Sequence, residues 1–120
     1  MSRVDIVEYA GKEIVKADLS NLGVDEAVSV MQEATNVIKT KPRNTVLFLT
    51  DVHGVSYSRE TVSGIKEFSL SNSPFIKATA VVGMDTVKQA ILSTVRFLTL
   101  HEIKTFDDEQ EAKDWLTHMQ

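Results

Sequence analysis

The chain opens on alternating apolar and polar positions. Val4, Ile6 and Val7 precede the turn Ala10-Gly11-Lys12, and Ile14, Val15, Ala17 and Leu19 follow it. This is the pattern of an antiparallel hairpin whose tight turn takes its positive φ from Gly11. The turn formers Asp18-Leu19-Ser20-Asn21-Leu22-Gly23 break the alternation, and from Val24 the period becomes helical. Val24, Ala27, Val28, Met31, Ala34 or Thr35, and Ile38 share one face, until Pro42 blocks continuation. Thr45-Val46-Leu47-Phe48-Leu49-Thr50 is nearly continuous in apolar character and short, which suits a strand buried on both faces.

The second half repeats the alternation of strand and helix. Ser56 or Ser58 caps a second helix with Val62, Ile65, and Phe68 or Ser69 turned inward, and Ser71-Asn72-Ser73-Pro74 ends it. Ile76 to Val82 is a further strand, with small Ala78 and Ala80, ending at Gly83. Asp85 caps a third helix whose stripe is Val87, Ala90, Ile91, Thr94, Val95 and Leu98. Residues 103–106 form a last strand. Asp108 and Glu111 then have the spacing of a capping box in which Asp replaces Ser or Thr, and Ala112, Trp115, Leu116 and Met119 point inward.

Five strands and four helices in this order predict a single α/β sandwich over residues 1–120. Strands separated by helices need crossover connections, so the sheet is mixed and mostly parallel, with the antiparallel hairpin at its edge. Composition narrows the function classes. The chain has no cysteine, which removes disulfides, thiol nucleophiles and thiolate metal sites together. A net charge of −4 argues against nucleic-acid binding, where neutralisation of phosphates by Lys and Arg dominates affinity. No apolar run approaches the roughly 20 residues of a membrane span. Residues 1–16 lack the apolar core of a signal peptide, so a cytoplasmic location is expected.

Ligands of open α/β sheets sit beyond the carboxyl ends of the parallel strands. Here those ends are Thr50-Asp51-Val52-His53-Gly54 and Val82-Gly83-Met84-Asp85. A hydrolase would use Asp51, His53 and Ser56 or Ser58, but a triad needs convergence that one short loop seldom supplies, and no Gly-x-Ser-x-Gly elbow is present. The competing reading makes the serines helix caps and Asp51 a turn residue. Asp51 and His53 fall short of a metal site, because His101 and His118 belong to distant elements and zinc takes three or four convergent ligands. Gly83 lacks the partners of a phosphate loop and reads as a structural glycine. The acidic run 107–111 sits at a helix start, where negative charge complements the macrodipole.

The third helix carries more apolar residues than one stripe requires. Leu92, Phe97 and Leu100 extend the apolar surface around it. Either Phe97 and Leu100 close the core under the last strand, or they form an apolar groove or dimer surface rimmed by Lys88 and Arg96.

Three stretches, taken together, resemble the SpoIIAA-like group of small STAS-related proteins. They are Val46-Leu47-Phe48-Leu49-Thr50-Asp51-Val52-His53-Gly54, Ala78-Thr79-Ala80-Val81-Val82-Gly83, and Lys104-Thr105-Phe106-Asp107-Asp108-Glu109-Gln110-Glu111-Ala112-Lys113-Asp114-Trp115-Leu116. The resemblance covers essentially the whole chain and implies a mixed sheet with helices, similar in fold to CRAL-TRIO lipid-binding domains. It also implies a phosphoacceptor at the start of the second helix, as in anti-sigma-factor antagonists. The matching stretch here, Tyr57-Ser58-Arg59-Glu60-Thr61-Val62, offers Ser58 or Thr61 but departs from the Asp-Ser-Ser-Gly-like pattern. Glu60 already supplies negative charge at that place.

The expected function is a non-enzymatic binding module for an apolar small molecule, lipid or protein partner, without cofactor or metal. Asp51, His53, Tyr57, Ser58 and Met84 form its rim, and Leu92 or Phe97 its apolar wall. The alternatives are a STAS-type regulatory module that binds a partner protein at the second-helix N-terminus, and a hydrolase using Asp51 and His53. Exposed helix or hairpin surface leaves room for a homodimer.

Overall fold

The computed structural model describes residues 3–56, 58–99 and 101–118, the side chains of residues 86, 87, 94, 97 and 98 excepted. The expectations placed on Tyr57, Leu100 and Met119, and on the side chains of Val87, Thr94, Phe97 and Leu98, lie outside the described residues. The elements are β1 (Val4–Tyr9), β2 (Lys12–Asp18), α1 (Val24–Ile38), β3 (Val46–Asp51), α2 (Arg59–Asn72), β4 (Ile76–Val82), α3 (Thr86–Leu98), β5 (Glu102–Phe106) and α4 (Glu109–Thr117). This is the element order expected from the sequence.

The five strands lie side by side in chain order. Only β1 runs antiparallel to its neighbour, while β2, β3, β4 and β5 pair in parallel. The turn between β1 and β2 has positive φ at both central residues, 50° at Ala10 and 76° at Gly11, so Ala10 as well as the expected Gly11 is left-handed.

Strand order and handedness decide where the helices go. Each parallel strand is added on the same side of the one before it, so right-handed crossovers place α1, α2 and α3 on one face of the sheet. The last helix, α4, follows β5 without a crossover and covers the opposite face, packing on β4 and β3. Alternate strand residues then serve the two layers. Ile14, Leu47, Leu49, Ala78, Ala80 and Val82 meet Ala112 and Leu116 of α4. Val15, Ala17 and Phe48 turn toward α1 and α2, and Val81 and Ile103 toward α3. A register slip between β3 and β4 at Val46/Leu47 brings Ile76 into the first of these helix-facing clusters, although Ala78, two residues on, faces α4.

Helix ends follow local chemistry. Ser58 caps α2 by accepting from the backbone N–H groups of Glu60 and Thr61. Asp85 accepts from Lys88 N, and Asp108 from Gln110 N. The facing of α3 departs from expectation. Val95 is buried and Ile91 half-buried as expected, but Ala90 is exposed, whereas Lys88 and Leu92 are buried. Leu92 buries far more apolar area than Ala90 would. Lys88, only 6% exposed, lays its methylene stem along the interior while its ammonium donates to Gly83 O at 3.3 Å and pairs with Asp85 at 3.4 Å. Lys88 is thus an interior residue instead of a rim residue, and Leu92 is core-facing instead of a spare apolar surface. No helix among the described residues is long and apolar enough to cross a membrane.

Candidate functional site

The inner surfaces of α1, α2 and α3 do not close completely on the sheet. Between them lies a cavity of about 120 Å³. Its floor is Phe48 and Thr50 of β3, Thr79 and Val81 of β4, and Ile103 of β5. Met31 of α1, Ile65 and Phe68 of α2, and Leu92 and Val95 of α3 enclose it, with Met84 from the loop before α3.

The origin of the space is legible in Gly64. A Cβ built there would lie 3.2 Å from Met31 Cε and 3.4 Å from Val28 Cγ2, so the glycine lets α2 press closely on α1. Accordingly α2 packs more extensively against α1 than against α3. The inner side of α2 also carries small or polar Thr61 and Ser69 where larger apolar side chains would fill the gap. Phe48 and Phe68 meet with ring centroids 5.2 Å apart and prop one side of the space.

Most polar groups in the wall are already satisfied by backbone. Thr50 Oγ1 donates to Ala17 O at 2.9 Å, Thr61 Oγ1 to Ser56 O at 3.2 Å, and Ser69 Oγ to Ile65 O at 2.8 Å. These hydroxyls therefore add little polarity to the interior. The end near β5 differs. His101 Nε2 lies 2.9 Å from Thr79 Oγ1, and His101 Nδ1 lies 3.3 Å from Ser73 Oγ. Burial pushes the His101 imidazole down to about 4, so the ring is neutral at ordinary pH. Beside it, Thr99 lines the cavity, and its buried Oγ1 has no hydrogen-bond partner among the described residues.

Of the residues singled out from the sequence, Met84, Leu92 and Thr61 line this cavity. Thr61 is buried and its hydroxyl is engaged, so Ser58 is the more accessible of the two hydroxyls at the start of α2. Ser58 donates to Glu60 Oε2 at 2.7 Å, and this bond holds the Glu60 carboxyl below the usual carboxylate range. Asp51 and His53 do come together, with His53 Nδ1 2.7 Å from Asp51 Oδ1 and His53 N donating to the same oxygen at 2.9 Å. The pair stands at the ends of the strands outside the cavity lining, with the His53 side chain 58% exposed. Gly83 lies directly beneath it. At φ 91°, any Cβ would fall 2.7 Å from His53 N, which explains the glycine without a phosphate. Among the described residues no three His, Asp or Glu side chains converge as metal ligands.

Thr99, Thr79 and His101 were not singled out as site residues from the sequence. His101 stood out only as one of three scattered histidines. The available signal was Thr79, a hydroxyl at a buried position of β4, on the same side as Val81. Its partner, 22 residues away, comes from the bend just before β5.

Comparison with known proteins bears on the fold. No curated protein matches the chain. An uncharacterized DUF3478-family protein with a SpoIIAA-like fold from Shewanella loihica superposes with a TM-score of 0.71 at 17% identity, covering 94% of this chain and 91% of that one. An anti-sigma-factor antagonist (STAS) domain protein from Planctomyces limnophilus gives a TM-score of 0.58 at 12% identity, covering 95% and 97% respectively. Both share the architecture derived above. The family model described as SpoIIAA-like matches residues 9–117, nearly the full length, and the chain therefore belongs to the SpoIIAA-like family.

Proposed function

We propose that this protein is a non-enzymatic binding module whose ligand is a compact apolar small molecule held in the cavity beneath α2 and α3. The cavity itself is the observation that carries this reading: about 120 Å³ of interior space walled by Met31, Phe68, Met84, Leu92 and Val95. An apolar cavity of about 150 Å³ stays dry and accepts benzene, so a space of this size suits one ring or a short aliphatic segment. It is well below the roughly 300–1,000 Å³ of pockets that enclose larger ligands, so a lipid would enter only by one end. A non-catalytic role is supported by the separation of the Asp51–His53 pair from the cavity and by the commitment of Ser58 to its helix cap.

Each methylene moved from water into such a wall contributes about 0.8 kcal/mol. Roughly six carbons then contribute about 5 kcal/mol, which sets the tightest affinity near the millimolar range before association entropy weakens it. Methyl-detected NMR titration with benzene is the direct test. Saturable shifts at the methyls of Met31, Met84, Leu92 and Val95 are expected, and their absence would remove the reading. Native mass spectrometry of freshly purified protein checks for a copurified ligand.

A further inference from the structure

We propose that the ligand carries a single uncharged oxygen, as an alcohol or phenol does, seated against the Thr99 hydroxyl beside Thr79 and His101. This rests on the cavity being a ligand site. The hydroxyls of Thr50, Thr61 and Ser69 are occupied by backbone carbonyls, and Lys88 at the far end is engaged with Gly83 O and Asp85, which leaves the β5 end as the uncharged polar end of the space. There Thr99 Oγ1 is buried without a hydrogen-bond partner among the described residues. A hydroxyl both donates and accepts, and one left unmade in an apolar interior is destabilising, so a ligand oxygen that completes it is selected over a pure hydrocarbon.

The charge of that oxygen follows from its surroundings. Both ring nitrogens of His101 are within hydrogen-bond distance of a hydroxyl, Thr79 Oγ1 at 2.9 Å and Ser73 Oγ at 3.3 Å. Burial keeps the ring neutral down to about pH 4, so it offers no cation to a carboxylate. The ammonium of Lys88 is engaged with Gly83 O and Asp85 at the opposite end of α3. Thr99 lies eleven residues further on, roughly 16 Å away at about 1.5 Å per helical residue, so that charge does not reach the ligand oxygen. A carboxylate seated at Thr99 would therefore lack a counter-ion, and at the other end it would compete with Asp85 for Lys88, whereas a neutral hydroxyl meets a neutral polar end.

The test compares benzene, phenol and benzoate, added separately to the full chain and followed by NMR shifts of the cavity methyls. Phenol is expected to bind roughly 3- to 10-fold tighter than benzene, the size of one net hydrogen bond. Benzoate is expected to give no saturable shift. The isosteric Thr99→Val substitution should abolish the preference, bringing phenol to the level of benzene in the same variant. Phenol binding no tighter than benzene in the wild type, as when water already satisfies Thr99, would overturn the proposal while leaving the cavity reading intact. So would a phenol preference that survives Thr99→Val, or saturable binding of benzoate. Failure of benzene and phenol alike would overturn both readings. The wild-type comparison stands even where the variant does not fold.

Discussion

The two faces of the sheet are made from alternate residues of the same strands, yet one is closed and the other hollow. Toward α4, Ala78, Ala80 and Ala112 are fully buried, and their small side chains let the helix sit close while Ile14, Leu49 and Leu116 fill the remaining volume. Toward α1, α2 and α3 the floor includes Thr50 and Thr79, and α2 is drawn to α1 at Gly64, so the space beside α3 is left open. Small residues thus have opposite consequences on the two faces. Where the helix can follow them inward they give tight packing. Where it is held by a neighbouring helix, they give a cavity. The closed face supplies stability, and the hollow face gives up some of it to the cavity.

The largest effect expected from this contrast is on the closed face. Leu116→Ala should destabilise the protein by about 2–5 kcal/mol, because a fully buried leucine is replaced without room for collapse. Urea unfolding measures this, and a loss well under about 1 kcal/mol would break the comparison.

A pair of enlargements sharpens it further. Ala80→Val on the closed face should cost about 1–3 kcal/mol through overpacking. Leu92→Phe on the hollow face should leave the urea midpoint unchanged or raised, since the added volume enters existing space, and should abolish benzene binding. Equal destabilisation by both would mean that the cavity wall is as rigidly filled as the closed face.

A further effect is a pH dependence in which His101 of the hollow face takes part. The folded protein holds His101 at about 4 against an ordinary value of 6.5. The unfolded chain therefore binds more protons in this interval, and stability rises with pH there. The contribution is complete above about pH 6.5 and is lost progressively as pH falls toward 4. Thermal melts across this range should show the decline, and His101→Gln should flatten it. An unchanged slope in the variant would assign the dependence to other groups.

The elements were legible because their signals are local. Asp85 and Asp108 cap the helices expected of them, since a cap needs only backbone N–H groups two or three residues away. The span of β4 is the one read from its apolar run. The facing of α3 was less legible. Counting Lys88 as polar hides a long apolar stem, and a stripe through Ala90 looks as regular as one through Leu92 until the size of the buried side chain is weighed. The site was the least legible part. Asp51 and His53, close in sequence, do meet, whereas the polar end of the cavity joins Thr79 of β4 to His101 in the bend before β5.

Sequence alone determined the α/β order, the hairpin edge and the helix caps, because each is written in periods of two or 3.6 residues or in contacts within one turn. The right-handedness of crossovers then sends three helices to one face. Only the tertiary structure decided how closely those helices approach one another. A cavity is a small difference between the volume enclosed by several elements and the volume of the side chains filling it. That difference depends on Gly64 meeting Met31 and on Thr79 meeting His101, contacts between residues that no short-range pattern relates.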